Sequence, residues 1–309
     1  MMQQILIGMG KRAESTGGTI VDDGNTRYHI FMTDDVFEVA TGPLSATVLA
    51  IGGGGASGDS QGGAGSGGGG GAGGYVNAPF TIANGSYPIT IGAGGGPRVA
   101  PSSQIAPYPD NQFAGTSSIV NSIVTAYGGG QGGGHGSKAG RPGASSGGGQ
   151  DGQGAGTANR QAGTNNPITP SPQGNAGGGT SSGSGNRGGA GGGGAGTPGQ
   201  GGNGTYGGPG GDGVNAAPTF PAPVIGPVVP GYTGLVCGGG CGGGSPDSSA
   251  HLAQTPWGGG GRSTPQYTNV EEGRDYSGGG GGSNPIAMPE GERAGKSGGK
   301  GLVVIKYTI

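Results

Sequence analysis

GSGNRGGAGGGGAGTPGQGGNGTYGGPGGDG, residues 183–213, is the stretch that decides what kind of fold this chain can have. Glycine at every third position would make it collagen, but doublets and quadruplets break every three-residue frame. No apolar residue recurs at helical spacing, so a helix would have no face to bury. Glycine runs have one further ordered option, the polyglycine II conformation. This is a left-handed, threefold extended strand rising about 3.1 Å per residue. It has no internal hydrogen bonds, and its N–H and C=O groups point outward in three directions, so they must pair with neighbouring strands. Without a Cβ, several such strands pack side by side, and backbone hydrogen bonds worth about 1 kcal/mol each replace an apolar core. A single strand could not offset the entropy glycine loses on ordering, whereas a bundle shares it. This reading predicts laterally stacked extended strands across 178–213.

Working outward, similar tracts occur at 52–74, 92–96, 128–134, 238–244, 258–261 and 278–282. Within 52–74, the sequence AlaSerGlyAspSerGln at 56–61 is expected to break the tract into two antiparallel runs. Glycine and proline, 89 and 23 of 309 residues, exceed a third of the chain, a composition that normally signals disorder. Disordered chains usually carry high net charge, however, and here 14 basic residues face 16 acidic ones. That balance, with no basic run, argues against nucleic-acid binding. No stretch approaches the roughly 20 apolar residues of a membrane span, so no membrane insertion is expected. The opening MMQQILIGMGKR places its apolar run before the basic pair, and no cleavage-site pattern follows, so no secretory route is expected.

The remaining sequence reads as short strands. RYHIFM (27–32), DVFEV (35–39) and TVLAI (47–51) are rich in aromatic and β-branched residues, with turn signals at Asp34-Asp35 and Gly42-Pro43. Alternation puts Phe37 and Val39 on one face and Val36 and Glu38 on the other. FTIANGSYPITIG (80–92) reads as a hairpin turning at Asn84-Gly85, and SIVNSIVTAYGGG (118–130) as a strand running into glycine. GLVVIKYTI (301–309) ends the chain with Val303, Ile305, Tyr307 and Ile309 on one face. The expected fold class is therefore all-β with almost no helix. A small β-sandwich is made from the N- and C-terminal strands, with a polyglycine II bundle inserted between them.

Motifs of catalysis arise here by chance. GKSGG (295–299) and GASSG (143–147) match a nucleophile-elbow pattern at Ser297 and Ser145, yet neither precedes a helix. His29, His135 and His251 are dispersed, and nothing calls for a metal or cofactor. Cys237 and Cys241 in CGGGC, if extended, would stand about 12 Å apart at Cα, beyond disulfide reach. A tight glycine turn could close that gap. Two small side chains at the bundle surface are the first reading, a loop-closing disulfide the second. Four non-glycine inserts carry the recognition candidates: 215–236 with Phe220 and Tyr232, 245–257 with Trp257, 262–276 with Tyr267 and Tyr276, and 283–293. Aromatics in loops on a rigid scaffold are where binding hot spots concentrate, although the same residues can cap the bundle or pack against a neighbouring subunit.

VLAIGGGGASG (48–58), GGAGGYVNAPFTI (70–82), YPITIGAGG (87–95), SIVTAYGGGQGG (122–133) and GKGLVVIKYTI (299–309) resemble, in order, the glycine-rich domain of phage tail-fibre and adhesin proteins. YHIFMTDDVFEV (28–39) is similar to that family's opening hairpin, and Lys306 stands where the family's final motif carries Arg. The resemblance covers 27–309. It implies a β-sandwich with a polyglycine II bundle, no enzymatic activity, and a place on the virion surface after synthesis in the host cytoplasm. It also implies attachment to a host surface receptor, an outer-membrane protein or a glycan, and a homo-oligomer, commonly a trimer. Residues 1–26 lie outside it and suit a short segment anchored to other virion proteins through Ile5, Leu6 and Ile7. The alternative is a purely architectural decoration, collar or fibre protein that binds only virion partners. A third reading, an extracellular filament or matrix protein, requires a secretion route.

Overall fold

The computed structural model describes residues 15–60, 65–97, 113–134, 139–150, 173–180, 188–203, 206–244, 258–263, 270–285 and 294–309. The C-terminal strand, here β12 (Leu302–Thr308), lies at the middle of the architecture. On one side it pairs antiparallel with β3 (Thr26–Phe31), Val303 opposite Phe31 and Ile305 opposite His29. On the other it pairs with β5 (Leu44–Ile51), Val303 opposite Ala50 and Ile305 opposite Val48. β2 (Thr19–Asp23) and β6 (Tyr75–Ile82) complete this five-stranded sheet, in the order β2-β3-β12-β5-β6. The second sheet runs β1-β4-β7-β8-β9, from β1 (Ser15–Thr16), β4 (Asp35–Val39), β7 (Gly85–Thr90), β8 (Ser118–Val120) and β9 (Val124–Ala126).

The period of two along β12 sends its side chains into two different cores. Val303, Ile305 and Tyr307 join Phe31 and Val48 against Phe37, Val39 and Ile89 of the second sheet. Leu302 and Val304 point the other way with Tyr28, Ile30, Leu49 and Ile51. That outer face is covered by 214–236, which holds β10 (Val214–Asn215), α1 (Ala222–Ile225) and β11 (Leu235–Val236). Phe220, Ile225, Val229 and Tyr232 from this cover are buried against the sheet. Each such side chain contributes about 1.5–3 kcal/mol. Among the described residues nothing covers the outer face of the second sheet in this way, and Val36 there is 37% exposed while its neighbour Phe37 is fully buried.

Two expectations need correction. Residues 15–26 do not stand outside the domain: β1 pairs with β4, and β2 pairs with β3 across a turn in which Gly24 has φ +58°. The Asp23-Gly24 step flanked by apolar runs was the signal for that hairpin. The 118–130 segment is a tight hairpin rather than one strand, because Ser122 adopts φ +61° between β8 and β9.

The glycine tracts form a polyglycine II lattice. From 52 to 58 successive N–H groups donate to three different strands in rotation. Gly52, Gly55 and Gly58 bond the carbonyls of Gly74, Gly71 and Gly68; Gly53 and Ala56 bond Thr116 and Phe113; Gly54 and Ser57 bond Gly299 and Lys296. The return strand 65–74 repeats this rotation toward 127–133, 190–193 and 278–281, and accepts from 52–58, 145–148 and 240–243. It therefore has six neighbouring strands, three through donors and three through acceptors. Parallel and antiparallel neighbours coexist, since a threefold strand presents the same directions either way. The expected antiparallel break is present, but Ala56 to Gly58 still belong to the outgoing strand. Residues 178–213 contribute strands at 173–180, 188–195, 197–203 and 206–213, stacked as expected.

Candidate functional site

The lattice strands have a near end at the sandwich and a far end. Gly52 follows β5 and Gly74 precedes β6, whereas Gly58, Gly68, Gly133 and Gly148 are joined in one hydrogen-bonded layer away from it. Gly208, Gly189, Gly243 and Gly67 make a similar chain of bonds in that layer. Described stretches such as 52–60, 127–134, 145–150 and 238–244 run to this far side. The rim there is polar and buried. Ser66 Oγ donates to Gly244 O at 3.0 Å, Ser283 Oγ to Gly58 O at 3.1 Å and Asn284 Nδ2 to Ala294 O at 2.6 Å. Side-chain groups thus take over where the backbone partners of the lattice run out.

The aromatic candidates do not form one surface. Phe220 and Tyr232 are core residues of the 214–236 cover, and the Tyr232 hydroxyl donates to the Phe220 carbonyl at 3.0 Å. They are not receptor contacts; they were read as loop aromatics because nothing in a short insert reveals that it folds back onto a sheet. Tyr276 is half-buried against the same core with φ +61°. Trp257 and Tyr267 lie outside the described residues, as do Ile5, Leu6 and Ile7. Lys306 also belongs to this cover: its Nζ donates to Thr219 O at 2.7 Å and stands 5.4 Å from the Phe220 ring centroid. A cation at that strand position has a structural use.

The cysteines are both free and both fully buried. This overturns the surface reading and the disulfide together. Cys237 has φ +59°, outside the extended threefold conformation, and the two side chains enter different surroundings. Cys237 packs in the core under the 214–236 cover, and burial pushes its thiol far up. Cys241 sits inside the lattice. Burial raises its thiol to about 11 against the pull of hydrogen bonds from the Gly210 and Ser263 backbones. Sulfur there substitutes for a carbonyl as acceptor.

The look-alike catalytic serines have structural places. Ser145 is fully buried, and its Oγ accepts the Asn175 N–H at 3.4 Å. Ser297 Oγ donates to Glu272 Oε1 at 3.4 Å. His29 is sealed between the sheets with Ser15 and Tyr307, while His135 and His251 lie outside the described residues. Among the described residues no group of three or more His, Cys, Asp or Glu side chains could hold a metal ion. No helix among them is long and apolar enough to cross a membrane.

One device had no sequence signal. The Gln173 amide donates to Thr125 O and accepts from Tyr127 N, each at 2.8 Å, and so acts as a one-residue strand along β9. In comparison with known proteins, the family model described as glycine-rich domain matches residues 33–308. No match was found among curated proteins.

Proposed function

Because the chain belongs to the glycine-rich domain family, we propose that it is a non-enzymatic virion structural protein of the tail-fibre or adhesin kind, serving attachment to a host surface receptor. One observation carries this reading: described stretches such as 52–60, 127–134 and 238–244 end on the far side of the lattice, away from the sandwich. A rigid bundle that carries non-glycine inserts is a platform for recognition. Tyr267, in the segment that follows Ser263, and Trp257, which directly precedes Gly258 where that glycine accepts from Gly238 just after β11, are the receptor-contact candidates; Tyr276 is a weaker one, since half of it is already committed to the core. The virion partner is reached through residues 1–14, ahead of β1, and the working unit is a homo-oligomer, commonly a trimer in proteins of this kind.

The open face of the second sheet favours a second reading, a decoration, collar or fibre protein that binds only other virion proteins. Val36 is the exposed apolar residue there. Retention of the purified chain on host cell envelopes separates the two. The attachment reading expects saturable binding that Trp257→Ala or Tyr267→Ala weakens at least tenfold with unchanged melting. Absence of binding to any host envelope would leave the architectural reading.

A further inference from the structure

His29 is fully buried between the two sheets, beside Tyr307 and with no carboxylate among its hydrogen-bond partners. Its Nδ1 donates to the Gly17 carbonyl at 2.7 Å, which fixes the tautomer and leaves Nε2 as an acceptor. The Ser15 hydroxyl lies 2.9 Å from Nε2 and also bonds the Tyr307 hydroxyl. The network therefore runs in one direction: Tyr307 O–H to Ser15, Ser15 O–H to His29, and His29 N–H to Gly17. Each of its three protons has an acceptor, and all three side chains are buried.

A fourth proton does not fit. If Nε2 became a donor, Ser15 would accept from it. Two hydroxyl protons would then remain, and only one could bond the other oxygen. The second would be buried without a partner, and the ring would carry an uncompensated charge. The surrounding elements supply no relief. β4 presents the edge of the Phe37 ring, 5.0 Å away, and β12 presents Tyr307, whose hydroxyl Arg27 also reaches. Arg27 on β3 and Asp22 on β2 are the nearby charges, and they are bound to each other at 2.7 Å. Burial accordingly moves His29 below its ordinary range.

The residues tied down by this network are those of β1. That strand pairs with β4 at only two positions, Ser15 with Val39 and Thr16 with Glu38. Beyond it the Gly18 N–H bonds Asp35 Oδ2 at 2.9 Å. Besides these bonds, β1 and the Gly17 that follows it are held by what the Ser15 hydroxyl and the Gly17 carbonyl give to His29. We propose that β1 is an acid-sensitive latch: protonation of His29 releases Ser15–Gly17 while the other strands of both sheets stay folded.

The sign follows from the closed state excluding a proton that the open state binds at about 6.5. The latch is shut above that pH and opens as pH falls. Hydrogen exchange, corrected for intrinsic rates, tests it on the full chain at pH 7.5 and 5.5. Protection of a peptide covering 15–18 should fall about tenfold, while β12 amides at 303–305 keep theirs. His29→Gln should remove the pH dependence, and Asp35→Asn should leave it in place. If His29→Gln does not fold, Ser15→Ala should show weak β1 protection at both pH values. Unchanged wild-type protection, an equal loss in β12, or an equal fall in His29→Gln would overturn the proposal.

Discussion

Gly192 faces the carbonyl oxygen of Gly70 so closely that a Cβ on Gly192 would lie 2.0 Å from that oxygen. The obstacle is backbone held by its own hydrogen bonds: the Gly70 carbonyl accepts from Gly240, and the Gly192 N–H donates to Gly240 O. Gly192→Val should therefore destabilise by more than about 3 kcal/mol, beyond ordinary overpacking. Ala190, two residues away, is also fully buried, so its tolerance cannot rest on facing solvent. Its Cβ already has a place, and Ala190→Ser should cost about 1 kcal/mol or less. Gly96→Ala, with nothing near its Cβ position, should be close to neutral. Thermal melting of the three variants checks the ranking.

Phe220 is a structural anchor in this account. Phe220→Ala should cost about 3–5 kcal/mol, the range for emptying a buried aromatic site. Lys306→Met keeps the aliphatic stem but removes the bond to Thr219 O and the charge over the ring, at about 1–2 kcal/mol. Denaturant unfolding measures both. Normal stability of Phe220→Ala would mean that the 214–236 segment does not cover the sheet.

The two thiols should be unreactive while the protein is folded. Both are buried and both are pushed up, so little thiolate exists at neutral pH. A small alkylating reagent should label neither Cys237 nor Cys241 at pH 8 until denaturant is added. A reducing agent should not change the melting temperature. A reductant-dependent melting temperature would restore the disulfide.

Residues 1–12 precede β1, and deleting them should leave melting almost unchanged. Under the proposed function the truncated chain should fail to join particles. Normal incorporation would place the virion contact elsewhere, with the open face around Val36 the first region to test.

Legibility in the sequence followed the range over which residues act. Alternation along β4 and β12 is local, and it placed Phe37, Val39, Val303, Ile305 and Tyr307 inward, as the structure has them. The absence of a glycine frame at 183–213 is equally local, and it pointed to stacked strands. Whether a glycine-strand residue is inside depends on how many strands surround it, which no local pattern reveals. The surface position expected for Cys237 and Cys241 fails for that reason, and both are interior. Phe220 and Tyr232 were misread similarly, because the partner they bury against lies in strands distant in sequence. Of the attachment candidates, Trp257 and Tyr267 lie outside the described residues, so their role rests on the segments that carry them.

The central claim is that glycine backbone, hydrogen-bonded in three directions, forms a core as firm as the sandwich. Hydrogen exchange of the amides in 52–58 and 67–74 tests it most directly. Each of these N–H groups that donates in rotation to three neighbours should open only with global unfolding, with protection matching β12 at 303–305. Exchange at the rate of a flexible glycine linker, while β12 stays protected, would contradict the account.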